Sequence, residues 1–595
     1  MLMQYKNNKL ERWLIVTNVV AATLVIASFV SLFGFDRPLL PSSALYGTQL
    51  LLLVYFVSEK IVRTFNAQYK LDYLRANWFE IPLFLLLTLV IFTKEQAFQA
   101  TEENTVVHIA VGTYLILQVV GKVCRTTVHL ASLGTNPTRM LIASFLTLIL
   151  VGAGVLCLPK ATHGEPLSFV DALFTATSAT CVTGLVVRDT GQDFTLMGQS
   201  VILGLIQLGG LGIVIFGAVF SLILGQAFSV RESAAMQDLV SAQTLNRIGT
   251  MIAFIFMTTL IVELVGMFGL YCLWDNHAGW TDTTRNRWFF SLFHSISAFC
   301  NAGFGLFENS LTDYRRCWNV YTIICPLIIL GGLGFGVLYN LFNVATDQIK
   351  RLFKKLCHKK HRMTMALPKR ITLQTKIVLS LSFLLIMCGA IMILLMEHIS
   401  GDSSQSACPG ALDALFQSIT ARTAGFNTVN IQDMTAPSRL ILILLMFVGG
   451  SPGSTAGGIK TVTLAVIAMT IITTLRKRSE VEMFKRSIRP VVVGRAITVT
   501  VLFVFALFII IFMLCISEGG NPNISLPDLV FEATSALGTV GLTTGITAIL
   551  TTTGKLIIII AMLIGRLGPL TLLAALTFDL KPVKYNYPQE AIIVG

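Results

Sequence analysis

Four short segments carry the residues able to do chemistry: ATSATCVTGL (Ala176–Leu185), SISAFCNAGF (Ser295–Phe304), QSITARTAGF (Gln417–Phe426) and ATSALGTVGL (Ala533–Leu542). They align without a gap, and their glycines Gly184, Gly303, Gly425 and Gly541 lie 119, 122 and 116 residues apart. Near-constant spacing with matching flanks indicates one unit copied four times. Each segment is apolar and rich in hydroxyls, and ends in a glycine that permits positive φ and lets carbonyls point inward. A ring of carbonyls replaces a cation's hydration shell. The pore lining is expected at Thr183, Gly184, Ala302, Gly303, Ala424, Gly425, Val540 and Gly541. The expected ion ligands are Val182, Thr183, Asn301, Ala302, Thr423, Ala424, Thr539 and Val540. No ring of Asp or Glu occurs in these segments, which disfavours a divalent cation.

Such segments must be held by membrane spans. A run of roughly 12 residues covers about half a bilayer as a helix, so it must enter and return. The returning, non-helical backbone survives at that depth only against protein or a water-filled path. Composition agrees: the chain is 54% hydrophobic and 13% charged, with a mean hydropathy of +0.75, against about 25% charged in soluble domains. Apolar runs at Leu14–Phe35, Leu45–Val62, Phe79–Phe92 and Val106–Val123 read as four spans. The first is too long for a signal-peptide core and reads as retained. Four pairs of spans then flank the segments: Met140–Leu158 with Val201–Leu224, Thr250–Leu273 with Val320–Phe342, Thr372–Met396 with Leu440–Thr474, and Ala496–Cys515 with Leu556–Leu576. The fold class is therefore an all-α polytopic membrane protein of twelve spans. Its expected divisions are 1–137 for the N-terminal region and 138–245, 246–365, 366–487 and 488–595 for the repeats.

The net charge of +13 fits cationic cytoplasmic loops rather than nucleic-acid binding. Clusters at Lys6/Lys9/Arg12, Lys60–Arg75, Lys122–Arg139, Lys350–Arg370 and Arg476–Arg489 fall on one side of this map, which places both termini in the cytoplasm. The Lys350–Arg370 run is a solvated loop first, and a dock for a cytoplasmic partner or anionic lipid as the sharper reading. Cysteines sit mostly inside apolar runs as small hydrophobes. Cys357, His358 and His361 in a basic loop make a poor metal site.

Below the third segment, FVGGSPGSTAGGIKT (Phe447–Thr461) interrupts an apolar run. Gly449, Gly450, Gly453, Gly457 and Gly458 with Pro452, and with Ser454 among them, cannot continue a helix there. The break belongs beside the pathway, as a mobile gate rather than a simple kink. In IIAMLIGRLGPLTLL the charge of Arg566 lies near mid-membrane, where ionisable groups face the bundle interior. The loop's free carbonyls would accept its guanidinium. Lys460 reads as a charge at the cytoplasmic side. Arg422, beside the third segment, is expected to turn away from the path and pair with an acid such as Glu532.

These loops, with GGLG at Gly209–Gly212 and Gly331–Gly334, resemble the Trk/Ktr/HKT superfamily of potassium transporters, and most of all the bacterial Ktr- and Trk-type membrane subunits. The resemblance covers about Met140 to the C-terminus. It implies four M1–pore helix–M2 repeats around a pseudo-fourfold pore, in a homodimer with one pore per subunit, in the bacterial cytoplasmic membrane. It makes Phe447–Thr461 a gating loop, with Arg566 hindering the ion when closed. Glycine in the first filter goes with potassium in this family, serine with sodium; Gly184 therefore favours potassium. Sodium enters as a coupling or activating ion, or as the permeant ion of the alternative reading. A cytoplasmic RCK-type nucleotide-binding ring is the implied partner, since this chain has no nucleotide fingerprint of its own.

Phe56–Leu85 resembles the second and third helices of voltage-sensor-like domains, with Glu59 as the inner acid and Glu80 near the start of the third. The fourth span lacks a cation every third residue and carries only Lys122, Arg125 and His129 at its end. Steep gating needs several charges, so packing or assembly is the expected role. Two rival functions are weaker. An ion-coupled permease would show inverted repeats and midplane carboxylates, whereas these repeats run parallel. A membrane enzyme would need a catalytic cluster, and the eight histidines are dispersed.

Overall fold

The computed structural model describes residues 6–70, 111–119, 137–212, 218, 248–271, 284–356, 369–400, 410–569 and 573, apart from residues 36, 39, 117 and 316. Two helices come first, α1 (Asn8–Phe33) and α2 (Ser42–Asn66). They are joined by a buried polar contact: Glu59, 2% exposed, accepts from Asn18 at 2.9 Å and pairs with Arg63 at 2.8 Å. Arg63 also reaches Glu11 at 3.1 Å. Glu59 thus fastens α2 to α1. The expected third span, Glu80, and Lys122, Arg125 and His129 lie outside the described residues, as do Cys357, His358 and His361.

The same helical order then recurs. The first unit has α3 (Pro137–Leu156), a short α4 (Phe169–Thr180) and α5 (Leu196–Leu211). The second has α6 (Ile248–Tyr271), α7 (Thr284–Cys300), α8 (Cys325–Leu333) and α9 (Phe335–Leu356). In the third come α10 (Leu373–Ser400), α11 (Ala411–Thr420), α12 (Ala436–Phe447) and α13 (Thr461–Leu475). A hairpin of β1 (Glu482–Met483) and β2 (Arg486–Ser487) leads to the fourth, α14 (Pro490–Glu518), α15 (Leu526–Gly538) and α16 (Thr552–Leu567). With 28 and 29 residues, α10 and α14 are long enough to cross a bilayer. The 12-residue α4 and 10-residue α11 are not, and serve as half-depth helices.

Among the described residues, five helices are long and apolar enough to span, and a sixth span is the pair Val320–Leu333 and Phe335–Phe353, bent by 101°. In the first, second and fourth units the helix after the short one is cut short by glycine. Gly212, Gly334 and Gly568 end α5, α8 and α16 at φ of +82°, +86° and +84°, a backbone that L side chains avoid. The helices of the expected spans from Val201, Val320 and Leu556 therefore each end or bend at a glycine.

Acids near the starts of three short helices bolt the units together. Asp171 on α4 pairs with Lys555 of α16 at 2.7 Å, which joins the fourth unit to the first. Asp413 on α11 pairs with Arg315 of the second unit at 2.7 Å, and Asp528 on α15 with Arg439 of the third at 3.7 Å. An acid in the first turn also suits the helix dipole.

Candidate functional site

Each short helix ends in a residue with positive φ that is not glycine: Val182 (+58°), Asn301 (+59°), Thr423 (+77°) and Thr539 (+50°). Two residues later stands a glycine, also at positive φ: Gly184 (+95°), Gly303 (+70°), Gly425 (+82°) and Gly541 (+91°). Alternating the backbone in this way turns successive carbonyls to one side, and non-glycine residues hold the left-handed region at a cost of about 1–2 kcal/mol each. Four copies of one strained conformation indicate a function for it.

The four glycines close a ring. A Cβ placed on Gly184 would overlap the carbonyl of Ala302 and lie 3.0 Å from the Cα of Gly303. On Gly303 it would meet Ala424 O at 2.9 Å, and on Gly425 it would meet Val540 O at 2.6 Å. On Gly541 it would overlap Thr183 O, returning to the first unit. Thr183, Ala302, Ala424 and Val540, with the four glycines, are thus brought together.

Hydroxyls brace the ring from behind. Ser178 Oγ accepts from Gly184 N and Ser535 Oγ from Gly541 N, both at 3.1 Å. In the other two units the hydroxyl donates instead: Ser297 to Phe304 O at 2.7 Å and Thr420 to Phe426 O at 2.6 Å. The hydroxyls of Thr183, Thr423 and Thr539 are buried and unpartnered. Buried hydroxyls normally bond, and these stand at the positions expected to hold an ion. Outside the ring opens a cavity of about 530 Å³, floored by the four glycines. Asp189, Glu308, Asp433 and Arg315 line it, three acids to one cation, which draws cations to the ring without placing a carboxylate in it.

On the other side lies the interrupted third unit. Residues Val448 and Ile459 pair as a parallel bridge, so 449–458 loops out and returns. The loop meets the break in the second unit, where Ser451 N donates to Gly332 O and Phe335 N to Gly453 O, both at 3.0 Å. Arg566 donates to Thr455 O, and to Gly209 O and Gly210 O in the first unit, the last at 3.3 Å. One guanidinium therefore ties the fourth unit to the loop of the third and the break of the first. A Cβ on Gly457 would overlap the side-chain hydroxyl of Thr539, so the loop sits directly against the ring.

The breaks share a sequence pattern that reading the chain only partly found. Gly209-Gly210-Leu211-Gly212 and Gly331-Gly332-Leu333-Gly334 are matched in the fourth unit by Gly565-Arg566-Leu567-Gly568. The first glycine of each lets the helix touch a half-depth helix: a Cβ there would overlap Thr180 O, Phe299 O or Leu537 O. Arg566 replaces the second glycine. Aligning the motif across the fourth unit would have revealed that the arginine occupies a repeat position.

One expectation is corrected. Arg422 does not pair with Glu532: it donates to Ser382 O at 3.4 Å and Ser382 Oγ at 3.2 Å on α10. Glu532 instead accepts from Thr543 at 2.9 Å and from Thr547, threonines near enough in its own loop to saturate it. Lys460, read from the sequence as a charge at the cytoplasmic side, turns its Nζ back to Ala456 O at 2.7 Å. The loop leaves that carbonyl free of helical partners, and a buried carbonyl attracts the nearest cation.

Known proteins show the same architecture. The chain is 36% identical over 470 residues to Ktr system potassium uptake protein B of Bacillus subtilis, spanning 77% of this chain and 97% of that protein. It is 37% identical over 459 residues to Ktr system potassium uptake protein B of Vibrio alginolyticus, covering 77% and 94%. Potassium/sodium uptake protein NtpJ of Enterococcus hirae is 33% identical over 470 residues, covering 77% and 97%. The crystal structure of the potassium transporter TrkH from Vibrio parahaemolyticus superimposes with a TM-score of 0.55 over 84% of this chain and 98% of that one, at 17% identity, which shows a shared fold. Residues 108–582, which contain all four glycine loops and the interrupted helix, match the TrkH family model, described as cation transport protein, and the chain belongs to that family of membrane transporters.

Proposed function

We propose that this protein moves potassium across the bacterial cytoplasmic membrane through the ring of Gly184, Gly303, Gly425 and Gly541. The observation that carries this reading is the closed ring itself, in which each glycine leaves room only for the next unit's carbonyl. Carbonyls of Val182, Thr183, Asn301, Ala302, Thr423, Ala424, Thr539 and Val540 coordinate the ion, and the orphan hydroxyls of Thr183, Thr423 and Thr539 supply further oxygen. Oxygen donors without formal charge suit a weakly hydrated monovalent cation. Relatives named for potassium uptake, and one for potassium and sodium, support the choice of ion.

The gate comprises Gly449, Gly450, Gly453, Ser454, Gly457 and Gly458 with Arg566. In the arrangement described, the guanidinium holds the loop across the path and adds a repelling charge. Opening requires Arg566 to release Thr455 O. The four units occupy 138–245, 246–365, 366–487 and 488–595, and 1–137 forms a separate N-terminal region that serves packing or assembly. Both termini face the cytoplasm, the subunit forms a homodimer, and a cytoplasmic RCK-type ring that binds nucleotide drives the gate. Sodium acts as a coupling or activating ion.

Expression in a bacterium lacking its own potassium uptake tests this. The full chain, supplied with a cognate ring, is expected to restore growth at low potassium and rubidium uptake. Well-expressed protein that takes up neither ion contradicts the reading.

A further inference from the structure

The filter's wall is not electrostatically fourfold. At one position in the aligned segments the first, second and fourth loops carry Cys181, Cys300 and Gly538, and the third carries Arg422. Its side chain is buried, 8% exposed, just past the end of α11 and two residues before Ala424. Its polar contacts are the carbonyl and hydroxyl of Ser382, and its Nε is buried without a partner. The small space beside it, about 20 Å³, is walled by Ile328, Ile329, Ile386 and Ile419 together with backbone of Gly332 and Gly450. No carboxylate neutralises it among the described residues, and Glu532 is held by its own threonines.

We propose that Arg422 is a fixed positive charge behind the third filter loop that weakens cation binding in the filter and so speeds release of the ion. This rests on the reading of the ring as a potassium filter. The half-depth helices end at the ring, and each C-terminus carries about half a negative charge. At α11 one guanidinium more than cancels that contribution, so the short helices of the first, second and fourth units attract the cation and that of the third repels it. Ser382 on α10 holds the guanidinium, and on this reading the charge acts through space rather than as a ligand. A unit charge roughly 10 Å from a bound cation, at an effective dielectric of about 20, alters binding about tenfold. A filter that binds too tightly conducts slowly, because the ion must also leave. Arg422 is thus a positioning charge for release rather than a ligand.

The test is rubidium uptake by the full-length protein with its ring, reconstituted in liposomes, as a function of rubidium concentration. Arg422→Gln is expected to lower KM about three- to tenfold and to lower kcat as well, whereas Arg422→Lys keeps both near the wild-type values. Ser382→Asp leaves the arginine in place but sets a carboxylate against it, and is expected to lower KM like Arg422→Gln, with Ser382→Asn unchanged. Values of KM within twofold of wild type in both Arg422→Gln and Ser382→Asp overturn the proposal. So does an Arg422→Lys that behaves like Arg422→Gln, since shape rather than charge would then matter. Failure of both neutralised variants to fold while Arg422→Lys folds would make the residue structural, and also overturns it. Absence of uptake by the wild-type protein would instead defeat the potassium reading itself.

Discussion

Arg566 donates to the main-chain oxygen of Thr455, 111 residues earlier in the chain, and through its other nitrogen to Gly209. This contact joins three of the four units. Hydrogen bonds from a charged donor are worth about 1.5–3 kcal/mol each, enough to bias a two-state loop by tenfold or more. Arg566→Ala is therefore expected to raise rubidium flux severalfold in liposomes. Arg566→Lys keeps the charge but loses the fork that reaches two carbonyl groups at once, and should fall between. Shortening Gly449–Gly458 is expected to raise flux in the same way. Unchanged or lower flux in folded protein would remove the loop and Arg566 from gating.

Ser178 and Ser535 hold the amides of Gly184 and Gly541 in place. Alanine at either position leaves a buried N–H without its acceptor, at about 1–3 kcal/mol. The expected outcome for Ser178→Ala is a lower melting temperature and a weaker preference for potassium over sodium. A variant with unaltered melting and selectivity would show that the hydroxyl does not support the filter.

Lys555 and Asp171 close the ring of units, with side chains 15% and 14% exposed. At that burial the pair is screened less than a surface pair. A double-mutant cycle of Lys555→Gln and Asp171→Asn, read by thermal unfolding in detergent, is expected to give a coupling of about 1–2 kcal/mol. A coupling near zero would mean that packing alone closes the ring.

Glu59 fastens α2 to α1 through Asn18 and Arg63. Glu59→Ala leaves Arg63 paired with Glu11, and is expected to expose the N-terminal helices to protease. Rubidium flux per folded molecule should stay within about twofold. A large loss of flux would give these helices a direct part in conduction.

The ring of four glycines was legible because its constraint is local. Positive φ at Gly184, Gly303, Gly425 and Gly541 restricts the residue type, and the repeat displays that restriction four times. The interrupted helix was legible for the same reason, since five glycines and a proline cannot continue a span. What the sequence hid depends on neighbours across space. Arg422 takes Ser382, 40 residues away, rather than Glu532, because α10 lies closer than the fourth unit's acid, which its own threonines satisfy. Lys460 looked like the start of a cytoplasmic flank, yet the returning loop offers it Ala456 O. The breaks at Gly334 and Gly568 lie within apolar runs whose hydropathy alone reads as unbroken helix.

The central claim is that the ring around Gly184 selects the ion. Serine there must adopt φ near +95°, and its Cβ would overlap Ala302 O in the neighbouring unit, so it displaces a carbonyl of the ring. Uptake of potassium and of sodium by wild-type protein and Gly184→Ser, in cells lacking potassium uptake, measures this directly. The expected result is a potassium-over-sodium preference in the wild type that falls by about tenfold or more in the variant, a change of about 1.4 kcal/mol or more in relative affinity. An equally expressed Gly184→Ser that keeps the wild-type preference would contradict the assignment of the filter.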